Sequence, residues 1–175
     1  MNTQMKHWRI LLAEDSIDDQ QLLVHQLSEN RPQVEVTVVS TGKDFRRLFI
    51  EGAFDCAILD FHLPDYRADA LLASMREHVG NTPVLIVSNR RDQDVVVCSI
   101  RHGSVDFISK ERAALDGDLW PRVQKAVKES RRRSLDRRRT ERRTRYLERL
   151  AETDTLTQLG NRRYLKRCMD EGRWR

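Results

Sequence analysis

The sequence lacks the features that mark secreted and membrane proteins. Its three cysteines, Cys56, Cys98 and Cys168, are odd in number and far apart, so neither a disulfide framework nor a paired metal or redox site is expected. No apolar run approaches the roughly 20 residues that span a bilayer. The N-terminus MNTQMKHWRI also lacks the apolar stretch of a signal peptide. We therefore expect a cytoplasmic protein with no membrane partner.

Charge divides the chain into two parts. Residues 1–118 carry a net charge of −6, whereas residues 119–175 carry a net charge of +11. With 39% hydrophobic residues in 175, the chain can bury the core of one ordinary domain. An acidic globular part followed by a basic extension suggests either a nucleic-acid-binding tail or a solvated helical stalk.

Short apolar runs alternate with helical patterns over about the first 125 residues. The predicted strands cover 8–13, 34–39, the run into Asp60, 84–88 and the region around 106–108. The first predicted helix follows a cap at Ser16 or Asp15, and its apolar residues Ile17, Leu22, Leu23 and Leu27 fall near helical spacing. Further helices are predicted from 41–42, after Pro64 as far as a turn at 80–83, and at 92–101. This alternation favours a parallel sheet with helices on both faces.

Polar residues follow the predicted strands, where the carboxyl ends of a parallel sheet meet. Glu14 and Asp15 follow the first strand, Asp60 ends the third, Ser88 ends the fourth and Lys110 follows the fifth. By itself, Asp60 in CAILDFHLPD would more often be a turn or helix-cap residue. Because ligands bind beyond the carboxyl ends of strands in such sheets, we expect these side chains to form one site.

Three crowded carboxylates favour a hard divalent cation between them. Mg²⁺ binds few carboxylates and reaches substrate phosphate oxygens, and a carboxylate can accept a phosphoryl group. A lysine and a hydroxyl can hold the remaining phosphoryl oxygens. The predicted chemistry is therefore in-line phosphoryl transfer to Asp60 with Mg²⁺ as cofactor and Lys110 and Ser88 as assisting groups.

With these residues in place, the chain from about Trp8 to Lys128 resembles a two-component receiver domain. The resemblance implies a doubly wound, flavodoxin-like (βα)5 fold with strand order 2-1-3-4-5. It implies Mg²⁺ ligation by Asp15, Asp60 and the backbone carbonyl of His62, with Glu14 acting mostly through water. It also implies that Ser88 and Phe107 form the switch, although Phe107 as plain core filler stays open. The implied partner is a sensor histidine kinase or phosphotransfer protein.

Three positions depart from the usual pattern of that family. Asn89 stands where alanine is common, Glu111 where proline is common and Ala68 where glycine is frequent. None of these departures removes a catalytic group. We expect Asn89 and His62 to alter the lifetime of the phosphorylated state.

The basic extension is predicted to be a helix. From Arg131 to Arg145 nine of fifteen residues are arginine, and no Gly or Pro interrupts 122–152. We assign 1–125 to the receiver and 119–152, which continues its last helix, to a stalk that pairs receivers into a homodimer or higher oligomer. A dimer seam is predicted at positions with alternating three-and-four spacing: Val123, Ala126, Ser130, Arg133, Arg137, Thr140, Thr144, Leu147 and Ala151. Nucleic acid is the less favoured partner, because charge runs are usually solvated and no base-reading pattern is visible.

The segment DTLTQLGNRRYLKR, 154–167, resembles the opening signature D-x-L-T-x-L-x-N-R-R of the GGDEF diguanylate cyclase family. The resemblance implies that 153–175 begins such a domain, that the parent protein makes cyclic di-GMP, and that this chain is its regulatory half. Because no GGDEF loop or nucleotide pocket is present in the sequence, we expect no cyclase activity here, only phosphoryl acceptance and autodephosphorylation. The alternative is a stand-alone regulator with a basic nucleic-acid-binding helix.

Overall fold

A five-stranded parallel sheet is formed by the described part of the chain. The computed structural model describes residues 7–79, 82–88, 105–115, 117–152, 159 and 161–170. The strands are β1 (Trp8–Ala13), β2 (Val34–Val39), β3 (Cys56–Asp60), β4 (Val84–Ser88) and β5 (Val105–Ser109). Their order, β2-β1-β3-β4-β5, and the parallel register confirm the predicted topology.

Helices connect the strands and extend the chain beyond the sheet. Within the described residues they are α1 (Ile17–Ser28), α2 (Gly42–Glu51), α3 (Ala68–Ser74), α4 (Arg76–Val79), α5 (Lys110–Leu115), α6 (Leu119–Glu152) and α7 (Arg162–Asp170). Ser16 and Thr41 cap α1 and α2, because each side-chain oxygen accepts a hydrogen bond from a backbone N–H three residues later. The predicted helix at 92–101 lies outside the described residues.

Apolar side chains cover both faces of the sheet, as a doubly wound fold requires. Along β1, Ile10 and Leu12 pack into one cluster with Leu23 and Leu27 of α1, whereas Leu11 and Ala13 pack into the cluster on the other face. These four residues of β1 are fully buried. A strand covered on both faces has no polar alternation, and this explains the continuous apolar run in the sequence.

Two features of the helices differ from the sequence prediction. Of the apolar residues that suggested α1, Leu23 and Leu27 are buried against the sheet, whereas Ile17 and Leu22 are 68% and 41% exposed. The single helix predicted after Pro64 is interrupted at Met75, whose φ of −116° and ψ of 17° end α3 before α4 begins. The short helix α5 was not predicted.

The long helix α6 begins in the core of the sheet domain. Leu119, Val123 and Val127 are buried in the cluster that also contains Ile10 and Leu12. Val123 was predicted to open a dimer seam, but it is fully buried within its own protomer and is therefore not available to a partner. None of the helices in the described part of the chain has the length and apolar character of a membrane span.

The chain divides into two compact units, residues 1–131 and residues 132–175. In the first unit, Arg131 of α6 binds Asp55 at 2.9 Å, and Trp120 contacts Trp8 edge to face. In the second unit, the side chains of residues 135–148 are all exposed. The exposed part of α6 therefore has no apolar packing of its own among the described residues.

Candidate functional site

The polar side chains predicted at the carboxyl ends of the strands lie together in the structure. The Lys110 Nζ atom is 2.6 Å from Glu14 Oε2 and 3.1 Å from Asp60 Oδ2. Asp60 pairs with Val87 in the β3–β4 register, which places it beside the end of β4, where Ser88 lies. Three strand ends and the first residue of α5 thus meet at one edge of the sheet.

Burial distinguishes this edge from the rest of the described chain. The buried polar or charged residues of the described part are Glu14, Asp60, Ser88 and Lys110, with 0%, 6%, 1% and 8% exposure. Burial of ionised groups is unfavourable unless they are paired or bind a metal. Each of these residues was selected from the sequence as a site residue, and their shared burial in one place indicates a functional arrangement.

The acidic cluster has a geometry that suits a divalent cation. Carboxylate oxygens of Glu14, Asp15 and Asp60 lie within 4.8 Å of one another. The Glu14 Oε2 atom forms an ion pair with the Lys110 ammonium, but it accepts no directed hydrogen bond from the described residues. A buried carboxylate oxygen that accepts no hydrogen bond remains able to bind a cation. The three carboxylates therefore fit Mg²⁺.

The pKa of Glu14 reflects this environment. Burial is the main cause that raises it from 4.5 to about 7, and the nearby negative charge of Asp60 raises it further. The Lys110 ammonium and the Ser16 backbone N–H lower it, but not enough to offset burial. Glu14 therefore titrates close to neutral pH when no metal is bound.

Lys110 is held by more carboxylates than the sequence indicated. Its Nζ atom also donates to Asp19 Oδ2 at 2.8 Å. Burial alone would lower the pKa of Lys110, but the hydrogen bond to Asp19 and the negative charges of Asp60 and Glu14 outweigh it and raise the pKa. Asp19 was not predicted as a site residue. The available signal was its position four residues after Asp15, about one turn into α1.

The two residues assigned to the switch are placed differently. Ser88 is buried at the end of β4, while Phe107 of β5 is half-buried and packs against the core cluster on one sheet face. The Phe107 backbone carbonyl accepts a hydrogen bond from Arg122 Nη1 at 3.3 Å, and the same guanidinium binds Asp106 at 3.2 Å. Asn89 lies outside the described residues.

The loop after Asp60 is fixed by a residue that the sequence did not single out. Asp65 accepts hydrogen bonds from the backbone N–H groups of Gly42 at 2.7 Å and Lys43 at 3.0 Å. These groups are at the start of α2, where N–H donors have no partner inside the helix and favour a negative charge. The loop also carries His62, whose backbone N–H donates to Asp60 Oδ1 at 3.4 Å. The loop that follows Asp60 is therefore anchored on α2.

Comparison with known proteins identifies related sequences and folds. A family model described as the response regulator receiver domain matches residues 10–116. Over 103 residues, 58% of this chain, the sequence is 32% identical to the transcriptional regulatory protein GltR of Pseudomonas aeruginosa, of which it covers 42%. The chain spans less than half the length of the curated relatives that it matches.

Solved structures of similar fold cover most of the first unit. The receiver domain of the Francisella response regulator 1452 is 25% identical, with a TM-score of 0.61, and the match covers 71% of this chain and 99% of that one. A CheY-like response regulator receiver domain protein from Methanospirillum hungatei is 20% identical with a TM-score of 0.64, covering 73% and 99% of the two chains. The second of these supports the fold alone.

Proposed function

The chain belongs to the response regulator receiver domain family, and from this membership we propose that its Asp60 accepts a phosphoryl group. Receiver domains generally work with histidine kinases or phosphotransfer proteins, and we assign such a donor to this chain. The observation that carries the proposal is the buried Asp60 carboxylate 3.1 Å from the Lys110 ammonium, inside a cluster of acidic groups.

Phosphoryl transfer requires a nucleophile and neutralisation of the phosphoryl charge. One carboxylate oxygen of Asp60 attacks the phosphorus of a phosphohistidine, the P–O bond forms, and the P–N bond breaks with its electron pair moving to the donor nitrogen. The Lys110 ammonium stabilises the charge on the phosphoryl oxygens, because it stays positively charged in the site. In autodephosphorylation, water attacks the phosphorus, the bond between the phosphorus and the Asp60 oxygen breaks, and inorganic phosphate leaves with the carboxylate restored.

A magnesium ion belongs to this proposal. Glu14, Asp15, Asp60 and the backbone carbonyl of His62 would hold it. When bound, Mg²⁺ neutralises the carboxylates and binds a phosphoryl oxygen. The assignment is supported by the short distances between the three carboxylates and by the Glu14 Oε2 atom, which accepts no hydrogen bond from the described residues.

We assign the switch to Ser88 and Phe107. The Ser88 hydroxyl is buried at the end of β4 next to the Asp60 strand and would turn towards a phosphoryl group. Phe107 is half-buried, and its carbonyl is bound by Arg122 of α6, so a change in β5 would reach the start of the long helix. The competing role of Phe107 as core filler is supported by its contact with the core cluster.

The output that we propose is subunit pairing in the regulatory half of a diguanylate cyclase. It is supported by the continuous helix Leu119–Glu152 and by the signature in 154–167. Asn161 of that signature accepts a hydrogen bond from the Tyr164 backbone N–H and caps α7. Because Val123 is buried in its own protomer, pairing would use the receiver surface and the Leu147 end, where Leu147 is 54% exposed.

Phosphorylation is tested with a small acyl phosphate as donor and intact-mass spectrometry. The wild-type chain with Mg²⁺ should gain the mass of one phosphoryl group, and Asp60→Asn should not. Asp69→Asn is a matched control, since it removes a nearby, partly exposed carboxylate that pairs with Arg67 and lies outside the acidic cluster. Equal modification of wild type and Asp60→Asn would disprove Asp60 as the acceptor.

Pairing is tested separately by light scattering with and without Mg²⁺ and beryllofluoride, a mimic of the phosphoryl group. The wild-type mass should increase with the mimic, and the Asp60→Asn mass should not change. A wild-type mass that ignores the mimic would reject the pairing output while leaving phosphoryl acceptance intact.

A further inference from the structure

The arginines of α6 are distributed unevenly around the helix. Residues 132–148 include eight arginines and three acidic residues, Asp136, Glu141 and Glu148. At roughly 100° per residue, six arginines form two rows about 120° apart around the helix axis. One row is Arg138, Arg142 and Arg145, and the other is Arg132, Arg139 and Arg143. We call the surface that contains both rows the arginine face.

The arginine face contains no acidic residue. Leu135 and Tyr146 lie between its two rows, and both are exposed, at 65% and 62%. The three acidic residues of this segment lie outside the two rows: Asp136 is next to the second row, and Glu141 and Glu148 are beyond the first. Arg137, on the opposite side of the helix, forms an ion pair with Glu141 at 3.0 Å. Among the described residues, no acidic side chain forms an ion pair with the six arginines.

Such a surface is unfavourable in isolation. Arg138 and Arg142 are separated by four positions, as are Arg139 and Arg143, and like charges at this spacing destabilise a helix. Nothing apolar in the described residues covers this part of α6, so burial does not compensate the repulsion. A polyanion bound along the face would remove the repulsion.

We propose that the arginine face of α6 binds the phosphate backbones of double-stranded nucleic acid without reading its sequence. An α-helix about 10–12 Å wide fits the major groove, which is about 12 Å wide, and two arginine rows would then face the two strands that border the groove. Residues 132–145 extend about 20 Å, a length over which duplex DNA carries on the order of ten phosphates. The proposal concerns α6 and does not depend on phosphorylation of Asp60.

Other anionic partners fit the face less well. Insertion into a membrane surface needs a broad apolar stripe, whereas this face has only Leu135 and Tyr146 between the arginines. Binding of a single strand relies on several stacked aromatic side chains, and Tyr146 is the one aromatic residue of the segment 132–148. Two rows of arginines separated only by Leu135 and Tyr146 therefore favour binding of a duplex over a membrane surface or a single strand.

The test measures binding of the full chain to a fluorescent DNA duplex of arbitrary sequence over a range of salt concentrations. Six phosphate contacts predict that log K falls with log salt with a slope of about −5, which is a loss of about 10³-fold between 50 and 200 mM salt. The variant Arg139→Gln/Arg142→Gln removes one arginine from each row. It should weaken binding at low salt by roughly 10- to 100-fold and reduce the slope by about two.

The matched control is Arg133→Gln/Arg137→Gln, which removes the same charge from the opposite side of α6. It should change the affinity by less than about threefold, and Arg139→Lys/Arg142→Lys should bind like the wild type, because phosphate binding needs charge. Circular dichroism should show that all variants stay helical, since glutamine and lysine are good helix formers. The proposal would be overturned if both glutamine variants lost equal affinity, or if the chain did not bind duplex at low salt. It would also be overturned by equal affinity for a single strand or for phosphatidylserine vesicles.

Discussion

Replacing Glu14 by glutamine should stabilise the Mg²⁺-free protein at neutral and alkaline pH. Burial raises the pKa of Glu14 from 4.5 to about 7, so the folded protein binds this proton more tightly than the unfolded chain. The free energy of unfolding contributed by Glu14 therefore falls as the pH rises from 4.5 to about 7 and is constant above that range. The full decrease is about 3 kcal/mol, at 1.36 kcal/mol for each tenfold change in proton affinity.

Glutamine removes this ionisation but retains most of the local contacts. Its amide oxygen can still accept the hydrogen bond that Ser16 N–H donates to Glu14 Oε1 at 3.2 Å. Its NH2 group then takes the place of Oε2 and faces the Lys110 ammonium, so Lys110 loses a negative partner and meets a donor. The expected gain at pH 8 is therefore about 2 kcal/mol at most, below the full value. At pH 4.5 wild type and variant should differ little.

Urea unfolding in a chelator from pH 4.5 to 8.5 measures this effect. The control is Glu51→Gln, which replaces an exposed carboxylate at the end of α2 and should shift the free energy of unfolding by less than about 0.5 kcal/mol. Mg²⁺ should stabilise the wild type most above pH 7, where Glu14 is ionised, and should stabilise Glu14→Gln less. Parallel pH profiles for wild type and Glu14→Gln would refute the reasoning.

Two further substitutions test individual contacts. Asp19→Asn removes one of the carboxylates that hold Lys110, and since Asp19 is 31% exposed we expect a loss of about 0.5–1 kcal/mol in stability. Because Lys110 is then freer to bind a phosphoryl group, the reaction with an acyl phosphate should be roughly two- to fivefold faster when followed by mass spectrometry. An unchanged rate and an unchanged stability would show that the contact between Asp19 and Lys110 contributes neither to folding nor to the reaction. Gly42→Ala would place a Cβ 2.9 Å from Tyr66 Cβ and should lower stability by about 1–2 kcal/mol in thermal unfolding. In a Tyr66→Gly background, which lacks both the ring and the Cβ, Gly42→Ala should cost much less, and an undiminished loss there would locate the strain elsewhere.

The sheet and most of the site could be predicted because local sequence determines them. The apolar runs into Glu14, Asp60 and Ser88 mark strands buried on both faces, and each run ends where a polar residue reaches the edge of the sheet. Parallel strands bring their carboxyl ends together, so positions far apart in sequence could be assigned to one place. The two helix caps, Ser16 and Thr41, were also predictable from residue type and position.

Contacts that join distant segments could not be predicted in the same way. Asp19 and Lys110 are 91 positions apart, and Asp65 and Gly42 are 23 apart, so no short-range pattern links either pair. The buried face of α1 could not be chosen either, because helical spacing alone does not say how wide a stripe the sheet will cover. Leu22 fits the spacing as well as Leu23 does, yet only Leu23 is buried.

The hydrogen bonds from α2 to Asp65 have a consequence for local opening of the protein. The first amide groups of a helix usually exchange their hydrogens quickly, because they have no partner inside the helix. Here the amides of Gly42 and Lys43 are donated to the Asp65 carboxylate. Their hydrogens can exchange only when the loop that follows Asp60 separates from α2. We therefore expect the start of α2 and the loop after Asp60 to open together, so that amide exchange at Gly42 would report motion of a loop more than twenty positions away along the chain.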